Sequence, residues 1–189
     1  MPQVNANSPT GDMRPLRWDS VAGVTGLPPN RTAVLEWGIR AALLSYMRRD
    51  PDFEIETTGE ATFNREDGVR MPGRVDAAGT LRLDGSVVLR AHHGALTVPL
   101  IGVEVTTDAL TIDDPADEPE PVSDRGSGDD AGDRRADRLA LVRLEPVPDA
   151  SDSTMVFATR LAPEADALFG YSYLPDTAFD PLRLTFAPA

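Results

Sequence analysis

The chain contains two histidines, and they stand side by side as His92 and His93. Gly94 follows them and apolar segments flank them, a pattern that predicts a tight turn between two strands. A histidine in such a turn can act as a base, bind a metal or hold a neighbouring ligand through a hydrogen bond. Adjacent histidines in a turn are also commonly just solvated, so the pair indicates a site only if it has a partner.

Tyr46 is a candidate for that partner. In one interpretation it is a core tyrosine whose hydroxyl reaches water. In the other, its phenolate oxygen is a hard anionic ligand for ferric iron, and tyrosinate is a known axial ligand of haem. A phenol with an ordinary pKa of about 10 stays ionised only with help from the iron and from a hydrogen-bonding neighbour. A histidine on a nearby turn would be such a neighbour.

Other kinds of site have less support in the sequence. A serine hydrolase would need a nucleophile near His92 or His93, but no Gly-x-Ser-x-Gly motif is present and nothing places a serine there. A zinc site would have to complete its ligand set with carboxylates alone, because the chain lacks cysteine. A calcium site among the aspartates of residues 113–137 fits neither the EF-hand spacing nor a nonapeptide repeat.

The composition excludes several classes of protein. The chain has 189 residues, a net charge of −13, no cysteine and no lysine among its 18 basic residues. It therefore has no disulfide framework, no thiolate metal site and no phosphate-binding lysine. Because phosphate binding is mostly driven by cationic side chains, we expect neither nucleic acid nor an anionic membrane as a partner.

The N-terminal residues and the apolar runs of the sequence indicate where in the cell the protein is expected. Residues 1–7 have neither the basic nor the apolar region of a signal peptide, and no apolar run approaches the ~18 residues of a membrane span. We therefore expect no membrane insertion and a cytoplasmic location. If a signal peptide was removed upstream, the location would be extracellular or in the cell envelope.

The stretch that ends near Tyr46 has helical spacing. Apolar residues recur every three or four positions, which predicts one longer helix over residues 32–49 that ends at Asp50. The residues that set this spacing are Leu35, Ile39, Ala42, Leu43 and Tyr46. Gly38 would cost about 1 kcal/mol inside such a helix, so we infer that another backbone or a flat ligand approaches it closely.

The rest of the chain has the period of two that is typical of strands. The predicted strands are residues 53–57, 81–83, 87–89, 95–105, 109–112, 139–145, 155–161 and 182–186. Asp84-Gly85 predicts a two-residue hairpin between 81–83 and 87–89. The expected fold is mainly β, an antiparallel β-sandwich or barrel-like domain with one longer N-terminal helix and one short C-terminal helix at 163–169.

The chain is predicted to divide into a flexible N-terminal segment, residues 1–30, and a single domain, residues 31–187. An insertion at residues 113–137 carries ten acidic residues against three arginines, a net charge of −7 and more than half of that of the whole chain. Such a segment has little apolar surface to bury, so we expect it to be a disordered loop within the sheet.

Three segments, in order, resemble the HtaA domain family, the haem-binding modules of actinobacterial haem-uptake proteins. Residues 35–46 (LEWGIRAALLSY) are similar to the opening of these domains. Residues 88–96 (VLRAHHGAL) are similar to their His-Asp-Gly turn. Residues 169–173 (FGYSY), followed by Asp180-Pro181-Leu182, are similar to their Phe-Tyr pair and Asp-Pro-Leu.

The resemblance implies a mostly β fold that binds one b-type haem. Tyr46 matches the axial tyrosine and would be the ligand of the haem iron. His92 matches the histidine that hydrogen-bonds the axial phenolate, and His93 is the alternative if the alignment shifts by one residue. Tyr173 matches the tyrosine that lies near the haem in the family.

The chain departs from the family pattern at several of these positions. Ala42 stands where the family often has a serine that meets a haem propionate. Ser172 replaces the phenylalanine of the Phe-Tyr pair, so an apolar ring expected against the porphyrin is missing. His93 replaces an aspartate, and Ala91 replaces a small glycine.

The sequence thus predicts a protein that binds ferric haem reversibly for uptake, relay or storage, and that is not an enzyme. Its expected partners are haem and other haem-transport proteins. The alternative is an HtaA-like interaction or structural domain that has lost haem binding.

Overall fold

The computed structural model describes residues 26–64, 66–117, 137–148 and 153–188. The strands are β1 (Thr32–Trp37), β2 (Glu54–Thr58), β3 (Thr62–Asn64), β4 (Gly68–Val75), β5 (Leu81–Leu83), β6 (Ser86–Ala91), β7 (Leu96–Leu100), β8 (Glu104–Val105), β9 (Ala109–Asp113), β10 (Arg138–Pro146), β11 (Thr154–Leu161) and β12 (Ala178–Phe186). The helices are one α-helix, α1 (Ala41–Met47), and two 3₁₀ helices, Pro115–Asp117 and Pro163–Phe169.

Eight antiparallel strands close into a barrel in the order β1-β12-β11-β10-β9-β8-β5-β4, because β4 also pairs with β1. The short strand β3 pairs with β4 beside this closure. The strands β2, β6 and β7 form a separate three-stranded antiparallel sheet. The prediction of a mainly β, barrel-like fold is confirmed.

The barrel is held together by strands that bury every second residue. In β1 the buried residues are Ala33, Leu35 and Trp37, and Leu35 lies opposite Leu184 of β12 in the strand register. Because successive strand residues point to opposite faces, this alternation directs one face of each strand inward.

The predicted helix over residues 32–49 was wrong in extent. The structure has strand β1 first, and α1 begins only at Ala41. Leu35 and Ile39 fit a helical period, but residues 33, 35 and 37 fit a period of two equally well. Pairing of β1 with both β4 and β12 decides between the two patterns.

Two predictions about turns have different outcomes. The hairpin at Asp84-Gly85 was wrong, because β5 pairs with β4 and β8 while β6 belongs to the other sheet. The turn at His92-His93 is confirmed, since it joins the paired strands β6 and β7. The predicted strand 95–105 is interrupted near Gly102, which has a φ of +57°, and forms β7 and β8.

Residues 1–25 and 118–136 lie outside the described residues, and they contain most of the predicted N-terminal segment and of the acidic insertion. The strands on either side of the insertion, β9 and β10, pair with each other. Among the residues that the structure describes, no helix has the length and apolar character that crossing a bilayer requires.

Candidate functional site

A cleft of about 280 Å³ lies between α1, the turn that joins β6 to β7, and the segment that follows the second 3₁₀ helix. Leu43, Leu96 and Phe169 form its apolar walls. Its polar side chains are Tyr46, His92, Ser172 and Tyr173. Four of the six residues predicted for the site therefore meet in one place, although they come from three separate segments.

Tyr46 lies on the open side of α1, with 52% of its surface exposed. Leu43, Leu44 and Met47 are buried, and they fix the rotation of the helix about its axis. The exposed face of the helix carries Tyr46 at the edge of the cleft. A tyrosine that is exposed at the edge of an apolar cleft is accessible to a ligand.

The start of α1 is fixed by a residue from β12. The backbone amide of Ala41 donates to Oδ2 of Asp180 at 3.1 Å, while the Trp37 indole nitrogen donates to the Asp180 carbonyl at 2.9 Å. The amide of Asp180 donates in turn to the carbonyl of Ile39 at 2.9 Å. A carboxylate here satisfies an amide of the first turn that has no partner within the helix.

Gly38 is required because the Asp180 side chain fills the space where a β-carbon would lie, and the backbone of Gly68 also approaches Gly38 closely, as the sequence led us to expect of another backbone. A β-carbon added at Gly38 would lie 2.7 Å from Oδ2 of Asp180. The next residue, Ile39, has a φ of +59°, a strained conformation for a β-branched residue. The corner between β1 and α1 is therefore shaped around the Asp180 carboxylate.

The two histidines differ in position. His92 lines the cleft, and its ring centroid lies 5.1 Å from that of Tyr46, with 44° between the ring planes. The side chain of His93 is 87% exposed, and its Nδ1 lies 3.1 Å from Oδ2 of Asp52. Of the two candidates for a neighbour of Tyr46, His92 is the one in contact with it.

Asp50 is a site residue that the sequence reasoning missed. Its side chain is only 4% exposed, and its Oδ2 lies 2.6 Å from Nδ1 of His92 and 2.5 Å from the His92 backbone nitrogen. Its Oδ1 accepts a hydrogen bond from the amide of Asp52 at 2.9 Å. These amides, that of Asp52 most of all, and the nearby histidines lower the pKa of Asp50 despite its burial. In the sequence, Asp50 indicated only the end of a helix.

Tyr173 forms the opposite wall of the cleft. Its ring meets the rings of Phe169 and Phe179 edge-on, at centroid distances of 5.9 and 5.7 Å. The guanidinium of Arg40 lies over the Tyr173 ring, 4.8 Å from the centroid. Edge-to-face aromatic pairs and a cation over a ring are both favourable contacts, so Tyr173 is held by packing on several sides.

The remaining predicted residues are placed as follows. Ser172 lines the cleft and is exposed. Ala42 lies on α1 but is exposed and does not line the cleft. Within the described ranges, no group of three or more histidine, aspartate or glutamate side chains is arranged to hold a metal ion.

The fold is similar to three solved structures from Corynebacterium glutamicum. The N-terminal domain of HtaA matches with a TM-score of 0.61 and 16% identity, over 86% of this chain and 100% of that one. The C-terminal domain of HtaA matches with a TM-score of 0.60 and 18% identity, over 83% and 96%. The heme binding protein HtaB matches with a TM-score of 0.52 and 14% identity, over 83% and 94%.

At these identities the similarity shows the fold alone. No curated protein matches the chain in sequence. The family model described as Htaa matches residues 32–185, which begin with β1 and end within β12. The chain belongs to the HtaA family.

Proposed function

We propose that the cleft binds ferric b-type haem and that the phenolate oxygen of Tyr46 is the axial ligand of the iron. The observation that carries this proposal is the contact between Tyr46 and His92 at the edge of an apolar cleft. Ferric iron is a hard Lewis acid that takes an anionic oxygen as ligand. HtaB, a similar structure, is itself a heme binding protein.

The residues present fit such a ligand. Leu43, Leu96 and Phe169 give the cleft an apolar lining against which a porphyrin face could lie, and Tyr46 is exposed at its edge. The ring of His92 lies beside that of Tyr46, and it would take the proton of the phenol and then donate a hydrogen bond to the phenolate. Tyr173 borders the same cleft and would contact the ring system.

The shape of the cleft favours carriage of haem over catalysis with it. Its volume of about 280 Å³ is slightly smaller than that of typical small-molecule sites, which range over roughly 300–1,000 Å³. A porphyrin would therefore project into solvent, where another protein can reach it. Uptake, relay or storage of haem fits this exposure, with other haem-transport proteins as donors and acceptors.

A hemin titration of the purified protein tests the proposal. We expect a saturable Soret band and a high-spin ferric spectrum of tyrosinate type. Tyr46→Phe should abolish that spectrum and weaken hemin binding by more than the roughly 10–100-fold that is typical of a supporting residue. The matched control is Tyr171→Phe, the same change at a residue that is 74% exposed and outside the cleft lining.

The second candidate is an HtaA-like interaction or structural domain without haem. It is favoured by Ser172, which lines the cleft where the family resemblance leads us to expect a phenylalanine ring. If the parent protein takes up no hemin, this candidate replaces the first. If Tyr46→Phe binds hemin as tightly as the parent and with the same spectrum, the ligand assignment is wrong.

A further inference from the structure

We propose that Asp50 is a positioning residue of the cleft, which holds His92 with its hydrogen on Nδ1 and leaves Nε2 as the acceptor for the Tyr46 hydroxyl. The inference rests on the proposed function only for the identity of the ligand. Asp50 does not line the cleft, and it acts through His92.

The contact with Asp50 determines which ring nitrogen of His92 carries the hydrogen. Oδ2 of Asp50 lies 2.6 Å from Nδ1 of His92. An ionised carboxylate can only accept hydrogen bonds, so Nδ1 must be the donor and carry the hydrogen. In a neutral imidazole the other nitrogen, Nε2, is then the acceptor.

Asp50 also supports the backbone of the turn that carries His92. His92 and His93 have φ values of +54° and +56°, and the amide of Gly94 donates to the carbonyl of Ala91 at 3.1 Å. Two successive residues with positive φ make the mirror-image turn that glycine and asparagine usually occupy. Such a conformation persists where surrounding contacts determine it. Asp50 supplies one such contact, because Oδ2 also lies 2.5 Å from the amide nitrogen of His92.

Asp50 is itself held in place by burial and by a backbone amide. Its carboxylate is 4% exposed and lies just beyond α1, and its Oδ1 accepts the amide of Asp52. The same short stretch of chain therefore carries the phenol of Tyr46 and the acceptor that orients His92. One carboxylate thus couples the helix to the turn and sets the distance between the two rings.

Nitrogen-15 NMR of the hemin-free, full-length protein tests the tautomer directly, because the two nitrogens of a neutral imidazole differ in chemical shift. We expect His92 of the parent to carry its hydrogen on Nδ1. In Asp50→Asn, one carboxylate oxygen becomes an NH₂ group, and we expect the Nε2-protonated form to increase. The matched control is Asp52→Asn, the same change beside His93, which should leave the His92 signals unchanged.

Hemin titration gives the second readout. Residues that orient a ligand or its neighbour typically alter metal affinity by about 10–100-fold, so Asp50→Asn should raise the Kd for hemin within that range and weaken the tyrosinate spectrum. Asp50→Glu keeps a carboxylate and should recover part of both signals. Circular dichroism of each variant verifies that it is folded.

The outcomes separate this inference from the proposed function. If the parent binds no hemin but Asp50→Asn shifts the tautomer of His92, the positioning role stands and the haem proposal fails. If hemin binds but His92 keeps Nδ1–H in a folded Asp50→Asn, the positioning role is wrong. It is also wrong if Asp52→Asn changes the His92 signals as much as Asp50→Asn does.

Discussion

The barrel and the cleft differ in how closely their residues follow backbone preferences. Six residues other than glycine have a positive φ in the described ranges, and all six lie outside the strands and helices. Asn30, Asp176, His92 and His93 are of types that are enriched in this conformation, whereas Ile39 and Tyr171 are not. Ile39 lies just before α1, the histidines lie in the turn between β6 and β7, and Tyr171 follows the second 3₁₀ helix, so these four lie in or next to the segments around the cleft.

This difference separates what stabilises the molecule from what shapes the site. The barrel strands gain stability by burying alternate side chains, and among the described residues these buried side chains are apolar apart from Thr159. The segments around the cleft adopt costly conformations that polar contacts hold in place, with Asp180 at one corner and Asp50 at the other. Strain concentrated at one place in a fold is typical of a functional site.

The largest effect on stability is expected from a substitution that creates a cavity in the barrel core. Phe157 of β11 is fully buried, and Phe157→Ala should lower the free energy of unfolding by about 3–5 kcal/mol. Urea denaturation measures this loss. The hemin Kd of the folded variant should stay within about twofold of the parent, because Phe157 is not among the residues that line the cleft.

A milder variant keeps this test informative if Phe157→Ala does not fold. Ile112→Val, at a fully buried position of β9, should cost about 0.5–1.5 kcal/mol. A loss of hemin affinity in step with either loss of stability would mean that the barrel and the cleft are not separable.

A smaller effect is expected at the corner between β1 and α1, where stability and site geometry should change together. Asp180→Ala removes the acceptor of the Ala41 amide, and loss of such a cap costs about 1 kcal/mol. It should also weaken hemin binding, because α1 carries Tyr46. Thermal unfolding and hemin titration measure the two effects.

Gly38→Ala provides the matching half of a double-mutant cycle. Its new β-carbon would displace the Asp180 carboxylate, and such overpacking costs about 1–3 kcal/mol. In the Asp180→Ala background the displaced group is absent, so the second substitution should cost less than it does alone. Strictly additive losses would show that the carboxylate does not shape this corner.

The sequence predicted those features that depend on local pattern. Alternating residues located β10, β11 and β12, and the glycine after the two histidines located a real turn. Asp84-Gly85 has the composition of a hairpin turn, but a turn dipeptide sets local φ values and not the partners of the strands on either side. Those two strands belong to different sheets.

The residues of the candidate site were likewise predictable only where a local sequence motif indicated them. Of the six residues that the family resemblance indicated, Tyr46, His92, Ser172 and Tyr173 line one cleft, whereas Ala42 and His93 do not. The resemblance did not indicate Asp50, whose role depends on a contact with a residue 42 positions away. No local pattern encodes such a contact, since an aspartate after a helix is equally typical of a simple stop.

The smallest effect we predict is a change in how the free energy of unfolding depends on pH in acid. It can be measured at one aspartate of the barrel, Asp76, and at one beside the cleft, Asp50. Asp76, in the turn between β4 and β5, accepts hydrogen bonds from the amides of Thr80 and Ala78 at 3.0 and 2.9 Å, and Arg82 lies nearby. These amides, that of Thr80 first, lower the pKa of Asp76 from its ordinary 3.8. The pKa of Asp50 is lowered as well.

A lowered pKa in the folded state means that folding favours the ionised carboxylate. Both groups therefore contribute stability above the ordinary pKa of 3.8, and that contribution is lost as the pH falls through the lower folded values. Asp76→Asn and Asp50→Asn should each flatten the acid limb of a plot of unfolding free energy against pH. A profile for Asp76→Asn parallel to that of the parent would show that the turn does not hold its carboxylate in this way. At neutral pH only Asp50→Asn should also weaken hemin binding, because only Asp50 contacts a residue of the cleft.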